Sequence, residues 1–170
     1  IAAGRFDNCI LLGSFSKTAT PGMRVGYLVC KNAELLETIA AAKESSDVHT
    51  SVLSQYVLYD YLTHNDYDGH IAEIRALYES QCKTMLDAMS ECFPASVSYT
   101  RPDGGMFIWC TLPEGKTALD FFYEAVECKV AVAPGDPFYT APKAVRTFRL
   151  NYTNASKEEI REGIRRLGTL

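Results

Sequence analysis

Ser14-Phe15-Ser16-Lys17-Thr18-Ala19-Thr20-Pro21-Gly22-Met23-Arg24-Val25-Gly26-Tyr27 is the stretch on which the fold turns. It joins two apolar runs, residues 9–15 (CILLGSF) and residues 25–30 (VGYLVC). Continuous apolar runs bounded by turn residues read as buried strands. The expected unit is hairpin-like, with a Ser/Lys/Pro/Gly/Arg loop at its tip. Lys17 then follows directly on a strand and is aimed from a rigid scaffold. A lysine near burial or near another cation is held partly as the free amine, which attacks carbonyls. Arg24 lies across the turn and offers a planar fork of donors suited to phosphate or carboxylate. Ser14 and Ser16 add hydroxyl donors, and Gly22 and Gly26 let the backbone come close to a ligand.

By spacing alone, the stretch is equally a plain β-hairpin with a Pro-Gly turn and two surface cations. The functional alternative is specific: a lysine nucleophile beside a phosphate cradle is what a phosphorylated aldehyde cofactor needs, and pyridoxal phosphate is that cofactor.

Outward from this stretch, Asn32 is placed to cap a helix running to about Glu44, with Leu35, Leu36, Ile39 and Ala40 on its apolar face. Residues 45–50 read as a polar break, residues 51–64 as a second helix, and residues 67–92 as a long amphipathic helix ended by Pro94. The pattern then changes. Val97 and Tyr99 alternate with polar neighbours, Asp103-Gly104-Gly105 signals a turn, and residues 106–112 read as a strand. A helix is expected over 117–128, a short strand over 130–133 and a further strand over 145–152. Ser156-Lys157-Glu158-Glu159 is a capping box for the last helix. Alternating elements of this kind give an α/β architecture with an α+β C-terminal part. Two strands alone are marginal, so the first pair is expected to be the edge of a larger sheet lying upstream.

Composition narrows the classes. The chain has 170 residues, 47% hydrophobic and 22% charged, with a net charge of −4 and no basic block. That length supports one ordinary buried core. The charge pattern argues against nucleic acid or an anionic membrane as partner through this chain. No apolar stretch has the length of a membrane span. The six cysteines form no C-x-x-C pair and lie in apolar surroundings, so they are expected to be buried free thiols in a reducing, cytoplasmic compartment rather than zinc ligands.

The lysine stretch resembles the motif S-x-S-K-x-x-x-P-G-x-R-x-G-Y of the class I/II, fold-type I aminotransferases, with every fixed position filled. The resemblance covers essentially the whole chain. Residues 43–55 (KESSDVHTSVLSQ), 100–109 (TRPDGGMFIW), 130–138 (VAVAPGDPF) and 147–152 (TFRLNY) follow in the order and spacing of that family. They look most like the subgroup of 2-aminoadipate and kynurenine aminotransferases and the aminotransferase-like domain of MocR-type regulators.

The resemblance implies pyridoxal phosphate as cofactor, amino acids and 2-oxo acids as substrates, and a homodimer. It implies that Lys17 holds the cofactor as a Schiff base and moves a proton, that Arg24, Ser14 and Ser16 bind the phosphate, and that Arg149 clamps the substrate carboxylate. Gly104-Gly105 matches a tight turn beside the site, or is a simple hairpin turn. His49 and Thr50 match a region near the neighbouring subunit's site, with helix capping as the alternative. Arg146, three residues before Arg149, is expected on the opposite strand face as a surface charge.

The family's acid under the pyridine nitrogen, its ring-stacking aromatic and its phosphate turn lie before the lysine, and Asp7 is too near to be that acid. The chain is therefore expected to be a fragment. Residues 1–30 would be the end of the large domain, and residues 31–170 a helical connection and the C-terminal small domain. Such a fragment would be poor at holding the cofactor alone and inactive by itself. Two alternatives on the same fold remain: the effector-binding half of a MocR-type regulator, or a pyridoxal-phosphate lyase.

Overall fold

A computed structural model describes residues 9–141 and 144–170. The chain divides into two compact units, residues 1–71 and 72–170.

In the first unit, β1 (Ile10–Ser14) and β2 (Gly26–Cys30) pair antiparallel with Ser14 opposite Gly26 and Ile10 opposite Cys30. The hairpin expected from sequence is present. Its burial is not: Leu12 is 73% exposed, and Ile10, Leu11, Tyr27 and Val29 are exposed as well. A two-stranded sheet has no third strand and no covering layer of its own, so its apolar side chains stay open. Two helices follow, α1 (Ala33–Asp47) and α2 (Val52–His64). Asn32 caps α1 by accepting the Leu35 N–H, as its position implied. The helix runs beyond Glu44 into the expected break because Ser45 and Ser46 bond back to the Ala41 and Ala42 carbonyls and Lys43 pairs with Asp47. It ends at Val48, whose φ of 61° lies in the left-handed region that a β-branched residue rarely enters. Leu58 on α2 is the one buried residue of this unit among those described.

A long helix, α3 (Tyr67–Cys92), runs from residue 67 to the break before Pro94, with the bounds expected from sequence. From residue 72 on it belongs to the second unit. That unit is a four-stranded antiparallel sheet in the order β3 (Ser98–Tyr99), β4 (Phe107–Thr111), β6 (Thr147–Asn151), β5 (Ala133–Pro134). Two more helices, α4 (Ala118–Glu127) and α5 (Lys157–Leu167), complete it. Strand parity sorts the side chains. Ile108, Cys110, Phe148 and Leu150 are buried, and they form one core with Met85 and Met89 of α3, Phe121 and Ala125 of α4, and Ile160, Ile164 and Leu167 of α5. Phe121 and Phe148 meet with centroids 4.7 Å apart. This is an α+β unit: an antiparallel sheet with one buried face.

The strand expected over 130–133 is instead the two-residue β5, Ala133–Pro134. Lys129 turns left-handed with φ 63°, and the Val130 N–H bonds back to the Ala125 carbonyl. This Schellman-type closure of α4 takes up the residues that would have begun the strand. The capping box at Ser156 forms as read: Ser156 Oγ accepts from the Glu159 N–H and the Glu159 carboxylate accepts from the Ser156 N–H. Among the cysteines only Cys82 and Cys110 are buried, and Cys9 is exposed, so the expectation of six buried thiols is corrected. Cys9 precedes β1, in the unit with almost no core. Burial pushes the Cys110 thiol up to about 12.

Candidate functional site

The first group of site residues is built by the β1–β2 connection. The Phe15 carbonyl accepts the N–H groups of Thr18, Ala19 and Thr20, which curls the chain tightly after β1 and sets Lys17 on the outside of the turn. The Ser16 N–H donates to Ser14 Oγ at 3.2 Å, so that hydroxyl is held against the turn while its own proton stays available. Pro21–Met23 form a single 3-10 turn, and Arg24 closes it in the left-handed conformation, φ 53°. One guanidinium N–H of Arg24 donates to the Pro21 carbonyl at 3.2 Å. Arginine carries five such donors, so most of the fork remains open. The loop is braced from one side: Ala19, Thr20 and Met23 line an apolar cavity with Val57, Leu58 and Tyr61 of α2.

Ser14, Ser16, Lys17 and Arg24 are thus brought together on one hairpin. No Asp or Glu occurs between residues 9 and 33, so neither cation has a carboxylate neighbour on that hairpin. Lys17 is exposed and forms no ion pair among the described residues. Gly22 leaves room for a Cβ, whose nearest neighbour would be Thr20 Oγ1 at 4.0 Å. Gly26 does not. A Cβ there would sit 2.8 Å from the Gly13 carbonyl oxygen, so its missing side chain serves strand pairing rather than ligand approach.

The second group lies on β6, in the other unit. Arg149 faces away from the core, opposite Trp109 of β4 and Ala133 of β5. It is half-buried, and its guanidinium carbon lies 3.9 Å from the Phe107 ring centroid and 4.7 Å from that of Phe138. Trp109 meets Phe138 edge-on at 5.4 Å. Arg149 has no acidic partner among the described residues, so its N–H edge is free to take an anion. The aromatic neighbours were not singled out from sequence. The signal was there in the strand parity: Phe107 and Trp109 alternate with the apolar Ile108 and Cys110, and only one of those two faces could be core.

The remaining candidates are placed as follows. His49 is exposed, with Nδ1 2.9 Å from the Thr50 carbonyl oxygen, which also accepts from Gln55 Nε2 at 2.8 Å. The residue that caps α2 is Ser51, so neither His49 nor Thr50 is the cap. Gly104 and Gly105 occupy the exposed turn before β4, and Gly105 takes φ 89°, a conformation glycine tolerates. Arg146 is exposed, yet its guanidinium donates to the Leu112 carbonyl at 3.1 Å and braces the end of β4. Asp7 lies outside the described residues.

The hairpin of the first unit therefore carries an amine and a largely open guanidinium fork, and the sheet of the second unit carries an arginine with no acidic partner among the described residues. Similarity to known proteins places the chain in a family. The model of the family aminotransferase class I and II matches residues 2–167, and the chain belongs to that family. The 2-aminoadipate transaminase of Thermus thermophilus is 39% identical over 96% of this chain and 41% of its own length. Among solved structures, the alpha-aminoadipate aminotransferase of Thermus thermophilus, complexed with N-(5'-phosphopyridoxyl)-L-leucine, superposes with a TM-score of 0.88 at 39% identity, over 94% of this chain and 41% of that one. The kynurenine aminotransferase of Pyrococcus horikoshii gives 0.91 at 38% identity, over 99% and 41%. The chain spans about two fifths of the length of these relatives. Among the described residues, no helix is long and apolar enough to cross a membrane.

Proposed function

We propose that this chain carries the lysine and carboxylate-binding part of a pyridoxal-phosphate-dependent aminotransferase, which moves an amino group between an amino acid and a 2-oxo acid. The observation that carries the reading is the hairpin: Ser14, Ser16, Lys17 and Arg24 sit on one turn with no acid among residues 9–33. That donor set fits the cofactor. Ser14, Ser16 and Arg24 supply hydroxyl and guanidinium donors for a phosphate, and Lys17 supplies an amine for an aldehyde. When bound, the cofactor supplies an aldehyde that accepts the amino group and a ring that draws electrons from the substrate Cα. Lys17 Nζ would take the proton from the substrate Cα and deliver it to the cofactor's carbonyl carbon. Arg24 and the serines fix the phosphate end. Arg149 fixes the substrate carboxylate, giving preference for α-amino and 2-oxo acids.

The same reading makes residues 1–30 the end of the cofactor-binding domain and residues 31–170 a helical connection and the small domain. It places the whole protein in the cytoplasm as a homodimer. Support for burial against further protein comes from the exposed apolar side chains of the first unit, among them Leu12, Leu53 and Tyr56.

The test is a transfer assay on the whole protein with added pyridoxal phosphate. Lys17→Ala is expected to lower the rate by roughly a thousandfold or more. Undiminished transfer in that variant would overturn the reading. A wild-type protein that binds the cofactor without turnover would instead favour a regulator.

A further inference from the structure

We propose that Phe138 is a positioning residue for Arg149, acting through the face of its ring, and that the loop carrying it is tied to the strand of Arg149 for that purpose. The proposal rests on the reading of Arg149 as the carboxylate clamp. A guanidinium binds anions through its N–H edge, whereas its flat faces hydrate poorly and stack on rings. A carboxylate partner would hold the side chain but occupy that edge. Aromatic rings hold it and leave the edge open. Arg149 shows the second arrangement. Its guanidinium carbon is within 3.9 Å of the Phe107 centroid and 4.7 Å of the Phe138 centroid, with no acid beside it among the described residues.

The two rings reach it by different routes. Phe107 stands on β4, in the same sheet. Phe138 comes from the connection after β5, where residues Asp136–Phe138 form a single 3-10 turn. That turn is fastened to β6 two residues from Arg149. The Gly135 N–H donates to the Thr147 carbonyl at 2.7 Å, and a Cβ on Gly135 would fall 2.5 Å from that same oxygen. The Phe138 N–H returns to the Gly135 carbonyl at 2.9 Å, and Trp109 abuts the ring edge-on. Only glycine allows the loop to lie this close to the strand, and the close approach is what delivers the ring. Phe138 is 50% exposed. A ring left half in water is poorly accounted for by core packing and well accounted for by its stack on the cation.

The test is steady-state kinetics of the whole protein on several amino acids that differ in side chain. Phe138→Ala is expected to raise KM roughly tenfold for all of them alike, with kcat within about twofold, because it weakens a contact common to every α-carboxylate. Phe138→Tyr, which keeps a ring face, should restore KM. Phe138→Leu, which keeps bulk without a face, should not. Gly135→Ala should reproduce the Phe138→Ala change by lifting the loop. Combined with Arg149→Gln, Phe138→Ala should have no further effect.

The proposal is overturned if leucine serves as well as phenylalanine, if the loss is confined to one class of side chain, or if Phe138→Ala leaves KM unchanged while Arg149→Gln raises it. If Arg149→Gln itself leaves KM unchanged, the clamp reading fails, and the positioning role falls with it.

Discussion

The two compact units differ in how their residues are satisfied. In the unit of residues 72–170, a four-stranded sheet buries one face against three helices, and side chains such as Met89, Ile108 and Phe148 lose all contact with water. In the unit of residues 1–71, one described residue is buried and long apolar side chains stand open. Each unit nevertheless carries one pole of the proposed chemistry. Lys17 and the proposed phosphate donors ride on a hairpin held by backbone turns and caps, and Arg149, the proposed carboxylate clamp, rides on a packed sheet. The difference teaches that a site can be specified without a local core. Three N–H groups on the Phe15 carbonyl and the left-handed Arg24 define the lysine loop, whereas Arg149 depends on burial behind its strand.

If that contrast is right, mutations should divide along it. The largest effect is expected from Phe148→Ala, which empties a fully buried site: about 3–5 kcal/mol by chemical denaturation. A loss below about 1 kcal/mol would contradict the packing described. Next comes Ser156→Ala, which removes the capping box of α5 and should cost about 1 kcal/mol. By contrast, in these 170 residues by themselves, Leu53→Ser on α2, at a side chain 74% exposed, should change stability by no more than about 0.5 kcal/mol. A larger loss would place hidden packing in the first unit.

The smallest effect is electrostatic. Hydrogen bonds from Arg165 and Arg166 lower the Glu162 carboxyl to about 2 from its ordinary 4.5. A depressed acid stabilises the fold above its unfolded value and loses that contribution as pH falls through the folded one. Glu162→Gln should therefore flatten the acid limb of a stability–pH curve between about 4.5 and 2 and leave neutral pH nearly unchanged.

Legibility in the sequence followed the same division. Caps at Asn32 and Ser156 and the bounds of α3 were readable because each rests on local periodicity or on one side chain bonding a nearby N–H. The lysine hairpin was readable from its residues and their order. What was not readable depended on contacts distant in sequence. Burial of residues 9–15 was expected from their apolar run, but a run of apolar residues does not say what will cover it. The strand over 130–133 failed because Lys129, with no glycine to announce it, adopts the helix-closing conformation. The rings around Arg149 come from segments that meet it only through strand register, Phe107 from β4 and Phe138 from a loop pinned at Thr147. Arg149 itself stood out by resemblance, and its surroundings required the fold.

The most direct test of the account is where the cofactor becomes attached. The whole protein would be incubated with pyridoxal phosphate, reduced with borohydride, digested and mapped by mass. The account expects the phosphopyridoxyl mass on the peptide containing Lys17, and none on that peptide in Lys17→Ala. A label carried on another lysine, with Lys17 unmodified, would contradict it.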